Sequence, residues 1–434
     1  MMRALLLFLG FIFTAPQVWA VAKVEEVEKN VWLIEDHSLP LVTVKVAFED
    51  SGAASDPAAK DGLASFVAQM IDEGAGDMPG LAYQHALEDH AVRVGVDVSE
   101  DMLTVSLQTQ AQFKSQALDL LTLALKKPRF DKEAVERIRA SIESDLKQAE
   151  ENPGYLASRR WKEIAFAAHP YQHPRRGTVT SVAGITREDM QSFASMHFAC
   201  SPKHIAIVGD ITAAEVRLWL ASLSGGVACA LPSGIVKDVP VPDGQAPQWV
   251  EKDVPQTVVE ASLPAVKRDD PRFYAVYVLN YIVGGDTLTS RLGVEIRDKR
   301  GLAYYAQSEV QEFDHASALL MRFATRSAEA QVALDVFLHE LKTISSQGVT
   351  QSEFEDAKNY LIGSFPLEID NENALAEYLI AMQHYKLGSD YLDKRNRMIA
   401  QVTLNEVNEA AKSLLSHTPL VVMVGHKPQA KDTP

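Results

Sequence analysis

The sequence predicts an α+β protein built from two similar α/β-sandwich domains, and three observations carry that prediction. Strand-like alternation and helical periodicity follow one another along the chain. Two widely separated strand segments recur at a nearly constant offset. A proline-rich segment divides the chain between them. At 434 residues the chain exceeds what one hydrophobic core holds. Its 47% apolar and 23% charged residues are an ordinary globular balance.

The first twenty residues have the layout of a signal peptide. Arg3 supplies a positive start, Leu5 to Phe13 a short apolar run, and Val18-Trp19-Ala20 the small residues that precede cleavage after Ala20. The run is too short to span a bilayer. No cysteine follows the cleavage point, which argues against a lipid anchor. The expectation is an exported protein of the bacterial periplasm, with no membrane anchor and with residues 1–20 outside the fold.

Val31 and Leu33, then Val42, Val44, Val46 and Phe48, alternate as half-buried strands do. Asp61 to Ile71 reads as a helix with Leu63, Phe66, Val67 and Met70 on one face, ended by Gly74-Ala75-Gly76. Strand alternation resumes over Val94 to Val98 and Leu103 to Leu107. Helical periodicity covers Phe113 to Leu125 and Lys132 to Glu150. His204 to Val208 is a short β-branched run closed by Gly209-Asp210.

Residues 231–248 hold Pro232, Pro240, Pro242 and Pro247 and no helical period, which predicts a linker between domains at 21–230 and 249–434. LVTVKVAF at Leu41 matches QTVVEASL at Gln256, 215 positions on. HIAIVGD and LVVMVGH place Gly209 and Gly425 216 positions apart. An internal duplication accounts for both.

The formal net charge of −16 argues against nucleic acid and against anionic lipid as partners. Cys200 and Cys229 could pair in an oxidising compartment, but two cysteines make neither a thiolate zinc site nor a disulfide framework. No nucleophile elbow, phosphate loop or dinucleotide fingerprint is present.

One stretch speaks to chemistry. In LNYIVGGDTLTSRLGVEIRDKRGLAYYAQS, residues 279–308, a helix ends at Gly284-Gly285, a short helix covers Ser290 to Arg297, and Gly301 opens a strand from Leu302. Arg297 and Tyr304 can therefore converge across a turn. Their donors suit a peptide carbonyl, or the oxyanion that develops from it. On residues alone, a local ion pair for Arg297 and plain packing for Tyr304 remain open.

This stretch resembles the second domain of the pitrilysin or insulinase family of zinc peptidases, which includes the mitochondrial processing peptidases. The shared pattern is Gly-Gly, Ser-Arg-Leu, Ile-Arg and Gly-Leu-Ala-Tyr. HPYQHPRRGT from His169 and HIAIVGDIT from His204 resemble first-domain segments of the same family. The resemblance implies two homologous domains closing as a clamshell. It also implies a substrate-binding role for Arg297 and Tyr304.

Peptidases of that family carry His-x-x-Glu-His on a first-domain helix. Two His one turn apart bind zinc, and the Glu activates the metal-bound water. In GLASFVAQMIDEGAG, residues 62–76, Ser65 stands at the first His, Ala68 at the Glu and Gln69 at the second His. Glu143 matches a further metal ligand of the family, and one carboxylate cannot hold zinc alone. His85 and His90 are five apart and point to different sides of a helix. His169 and His173 are separated by Pro170 and followed by Pro174, which excludes a regular helix.

The expectation is a non-catalytic, substrate-binding subunit of a heteromeric zinc metallopeptidase. This chain would bind no metal. A homologous partner with an intact motif would supply the zinc, and peptides would be the substrates. A peptide-binding or scaffold protein without a protease partner is the alternative, and a self-sufficient zinc peptidase a third reading.

Overall fold

The structure, a computed structural model, describes residues 23–200, 203–223, 236–286 and 288–427. The signal-peptide segment, the start of the linker, Cys229 and the side chain of Cys200 lie outside the described residues, and with them the question of a disulfide.

The first half contributes β1 (Glu25–Glu28), β2 (Val31–Glu35), β3 (Leu41–Glu49), β4 (Arg93–Val98), β5 (Met102–Gln110) and β6 (Lys203–Gly209). They form one sheet in the order β1-β2-β6-β3-β5-β4. The second half contributes β7 (Gln248–Glu251), β8 (Gln256–Pro264), β9 (Ala303–Glu312), β10 (Ser317–Arg326) and β11 (Leu420–Gly425), in the order β9-β10-β8-β11-β7. Apart from the extra β1, the two orders are the same. In each, the pairing of the first strand with the last is parallel, β2 with β6 and β7 with β11, and the other core pairings are antiparallel. The duplication inferred from two strands thus extends to whole sheets. Val44 faces Leu107 and Ile207 across its sheet, and Ala261 faces Met321 and Val421.

Five helices carry the candidate site and join the halves: α1 (Leu63–Gln69), α2 (Lys132–Ala149), α3 (Pro153–Ala165), α4 (Phe273–Asn280) and α5 (Glu372–His384). One face of each sheet is covered by helices of its own half. Leu63, Phe66, Val67 and Met70 join Val44, Val46 and Leu107 in the first core, which satisfies the apolar stripe of α1. The other face is covered by a helix from the opposite half. Ala157 and Trp161 of α3 pack on Leu320, Val422 and Val424. Ala376, Leu379 and Ile380 of α5 pack on Trp32, Ala47, Ala206 and Val208. This exchange explains why β3 and β8 are buried on both faces, so that neither keeps the alternation of a half-exposed strand. Both exchanged helices start on an Asn cap. Asn152 accepts from the amides of Gly154 and Tyr155, and Asn371 from that of Ala374.

Residues 236–247 carry no regular secondary structure, yet they are not a loose tether. Val241 is buried against the second half, Val239 N donates to His315 O at 2.8 Å, and Gly244 N donates to Thr418 O at 2.7 Å. A Cβ at Gly244 would fall 1.9 Å from Pro419 O, so only glycine fits that approach.

Two local elements differ from expectation. The first helix is shorter than its periodicity suggests, because Gly62 sits at φ 92° before it and the chain leaves the helix at Met70. The predicted short helix at Ser290 to Arg297 is present over residues 291–298 but turns π-helical across Gly293–Asp298, and a second π-helical turn, Tyr281–Gly285, extends α4.

Candidate functional site

The helix that would carry a peptidase metal is held tightly in place. The Asp56 carboxylate accepts from the amides of Gly62, Leu63 and Ala64 at 2.7, 3.1 and 2.9 Å, satisfying the start of α1. Gly62 lies against the segment at 176–177, where a Cβ would approach Arg176 O to 2.7 Å. Ser65 is half-buried and donates its hydroxyl to Arg175 O at 2.8 Å; Ala68 is buried and Gln69 exposed.

These three positions line a cavity of about 350 Å³, together with Asp72, Val94, Val96, Asp97, Arg175 and Arg176. The side chains offer a hydroxyl, an amide, two carboxylates and two guanidinium groups. Histidine is absent from the lining, and nothing in it can hold zinc as the family motif does. Glu143, on α2, is half-buried and stands outside the cavity lining. The cavity is also lined by β4, the outermost strand of its sheet. An outermost strand leaves one row of backbone donors and acceptors free for an extended chain.

In the second half, β9 occupies the position that β4 holds in the first. Arg297 is the last residue but one of the π-helical turn, its carbonyl accepts from Gly301 N at 2.8 Å, and Leu302 N returns to Ile296 O at 2.9 Å. Gly301, at φ 62°, makes the turn into β9. The register of β9 against β10 shifts between Ala303 and Ala306, a bulge that contains Tyr304. Tyr304 is 82% exposed, unusual for so large a ring. The Arg297 guanidinium carbon lies 5.8 Å from the centre of that ring, within cation–π range, and Nη1 is 3.2 Å from Asp298 Oδ1. The structure therefore brings the two predicted residues together. Arg291 is bound to Glu340 and Glu353, and Arg300 to Glu295, local ion pairs as Arg297 makes with Asp298. Gly284 explains the Gly-Gly pair, since a Cβ there would lie 2.5 Å from Ser308 N of β9.

The discounted histidines have local partners. His90 Nδ1 contacts Ala86 O, His85 contacts Glu88, His169 contacts Lys237 O, and His173 contacts Asp61. Among the described residues no helix is long and apolar enough to cross a membrane.

Two halves of one topology, with no histidine among the residues lining the cavity beside α1, define a two-domain peptidase-like fold. Residues 30–179 match the family described as insulinase (peptidase family M16), and residues 184–361 match the peptidase M16 inactive domain. A protein of Helicobacter pylori described as the non-peptidase homolog YmxG is 26% identical over 422 residues, spanning 95% of this chain and 96% of its own. The crystal structure of a peptidase M16 inactive domain from Pseudomonas fluorescens superposes with a TM-score of 0.85 at 25% identity, over 92% of this chain and 95% of the other. A protease structure from Helicobacter pylori, at 16% identity, shares the fold with a TM-score of 0.82 over 94% and 99% of the two chains. The chain belongs to the insulinase, or M16, family of peptidases, as a non-catalytic member.

Proposed function

We propose that this chain is the substrate-binding subunit of a heteromeric M16-type zinc peptidase, exported to the periplasm. It presents Arg297 and Tyr304 to a peptide held in a cleft shared with a homologous partner. The partner carries the intact His-x-x-Glu-His motif and the zinc. The observation that carries this reading is an asymmetry between the halves. Positions 65, 68 and 69 hold no metal ligand or base, whereas Arg297 and Tyr304 are both present and adjacent, with the tyrosine ring exposed and the arginine half-buried. A tyrosine with most of its ring in water contributes little to its own fold, so selection for packing does not account for it. Co-purification with tagged residues 21–434 tests the assembly. A zinc-bearing homologue should be recovered, and chelation should abolish the peptidase activity of the recovered complex.

A second reading, a peptide-binding or scaffold protein that works alone, is favoured by the free edge of β4 beside the cavity. Peptide affinity that is the same with and without a zinc-bearing homologue, in a protein recovered without such a partner, would support it instead.

A further inference from the structure

The two halves meet at a second cluster of chemically active side chains, made of residues outside α1, the cavity beside it and the Arg297–Tyr304 turn. Glu49 ends β3, His204 lies near the start of the neighbouring β6, and His384 is the last residue of the exchanged helix α5. Their ligand atoms all lie within 4.8 Å of one another. Glu49 Oε1 is 2.6 Å from His204 Nε2 and 3.4 Å from His384 Nδ1. In a tetrahedral zinc site with bonds near 2.0–2.2 Å, donor atoms stand roughly 3.3 Å apart, so the three need only small side-chain adjustments to share one ion.

The outer nitrogen of His384 is already committed. Nε2 is 2.8 Å from Asp314 Oδ1. A proton on Nε2 directed at that carboxylate leaves Nδ1, on the Glu49 side, as the nitrogen that a metal would take, which is the arrangement of a carboxylate–histidine–metal triad. Asp314 is itself anchored, because its amide donates to Asp101 Oδ2 at 3.1 Å. The supports are rigid, being two adjacent strands, a helix end and the hairpin between β9 and β10. Both imidazoles are nearly buried, while the Glu49 side chain keeps 29% of its surface in water and leaves the cluster open to entry.

We propose that Glu49, His204 and His384 form a site for a zinc-class divalent cation that clasps the two halves together, with Asp314 orienting His384. Two imidazoles and a carboxylate suit zinc or cobalt and do not suit magnesium or calcium, which take oxygen donors. The charge of the setting agrees, since Asp50, Asp101 and Asp314 stand in the same neighbourhood as Glu49. The site is independent of α1, and it departs from the expectation that this chain binds no metal.

The test uses residues 21–434 stripped with EDTA, titrated with zinc chloride, desalted and assayed for metal. One zinc per chain should remain, with a Kd in the micromolar range or tighter, and zinc should raise the melting temperature. Glu49→Gln and His384→Ala should each abolish retention. Asp314→Asn, which leaves the ligands in place, should weaken binding by about 10–100-fold. A double variant, Ser65→Ala with Gln69→Ala, should bind as the parent does, which separates this site from α1. Magnesium chloride should give no shift in melting temperature. Failure of the parent to retain zinc would overturn the proposal. So would parental zinc binding in a Glu49→Gln or Asp314→Asn protein that still melts cooperatively.

Discussion

Trp161 of α3 donates its indole N–H to Ser262 Oγ of β8 at 2.7 Å, a buried bond between a helix of the first half and the sheet of the second. Ser158, one turn earlier, donates to Glu260 Oε2 at 2.6 Å on the same strand. The halves are therefore joined through a core rather than by a surface contact. Trp161→Ala should cost about 3–5 kcal/mol by opening that core. Trp161→Phe should cost about 1–3 kcal/mol, because the Ser262 hydroxyl loses its buried partner. Urea unfolding of both variants, followed by circular dichroism, reads these values; a loss below 0.5 kcal/mol (roughly the scatter for inert surface changes) in both would contradict the role given to α3.

Asp56 holds the start of α1 with three backbone hydrogen bonds. Asp56→Ala should lower stability by about 2 kcal/mol, whereas Asp56→Asn, which keeps an acceptor, should lose less. Equal losses in the two variants would mean that something other than capping is at work.

Asp101 gives the fold a pH dependence with a definite sign. Burial, with the Asp314 charge beside it, pushes its carboxyl up to about 6, although Tyr171 donates to it. An unfolded Asp ionises near pH 4, so between about 4 and 6 the folded chain holds the extra proton. Stability from this group is thus present below pH 4 and lost as pH rises through 6. Asp101→Asn should remove that slope, so the variant gains on the parent by about 3 kcal/mol between pH 4 and 7. A pH-independent difference between the two unfolding curves would refute the assignment.

Arg297→Ala and Tyr304→Phe should each lower kcat/KM of the assembled peptidase by about 2–4 kcal/mol of transition-state stabilisation if they donate to the scissile carbonyl. The melting temperature of each variant should stay near that of the parent, since Tyr304 is exposed and Arg297 pairs with its neighbour Asp298. Parental kinetics in both variants would remove the pair from the proposed mechanism.

Much of this architecture is legible in the sequence because it is encoded locally. The alternation in β4 and β5, the apolar stripe of α1 and the paired glycines 209 and 425 all act within a few residues, whereas the half-buried alternation expected of β3 gives way to burial on both faces. So does the seven-residue spacing that brings Arg297 to Tyr304. The exchange of α3 and α5 between the halves is not legible, because a buried helix face does not name the sheet it covers. The Glu49–His204–His384 cluster is hidden for a related reason. Its members lie 155 and 335 positions apart, and no spacing rule spans that distance. The π-helical turns flanking Ser290 also escape, since their residues fit an ordinary helix equally well. One clue to the cluster does lie in the sequence: His204 stands at the start of a short β-branched run, and a histidine that such a strand carries into the interior needs a partner.

The central claim is that this chain has no hydrolytic centre of its own. The direct measurement is cleavage of a quenched fluorescent peptide library by purified residues 21–434, with zinc in excess and no other protein. The account predicts no cleavage above the buffer blank, even with zinc bound at the clasp between the halves. Zinc-dependent cleavage by the isolated chain, abolished by a chelator, would contradict it.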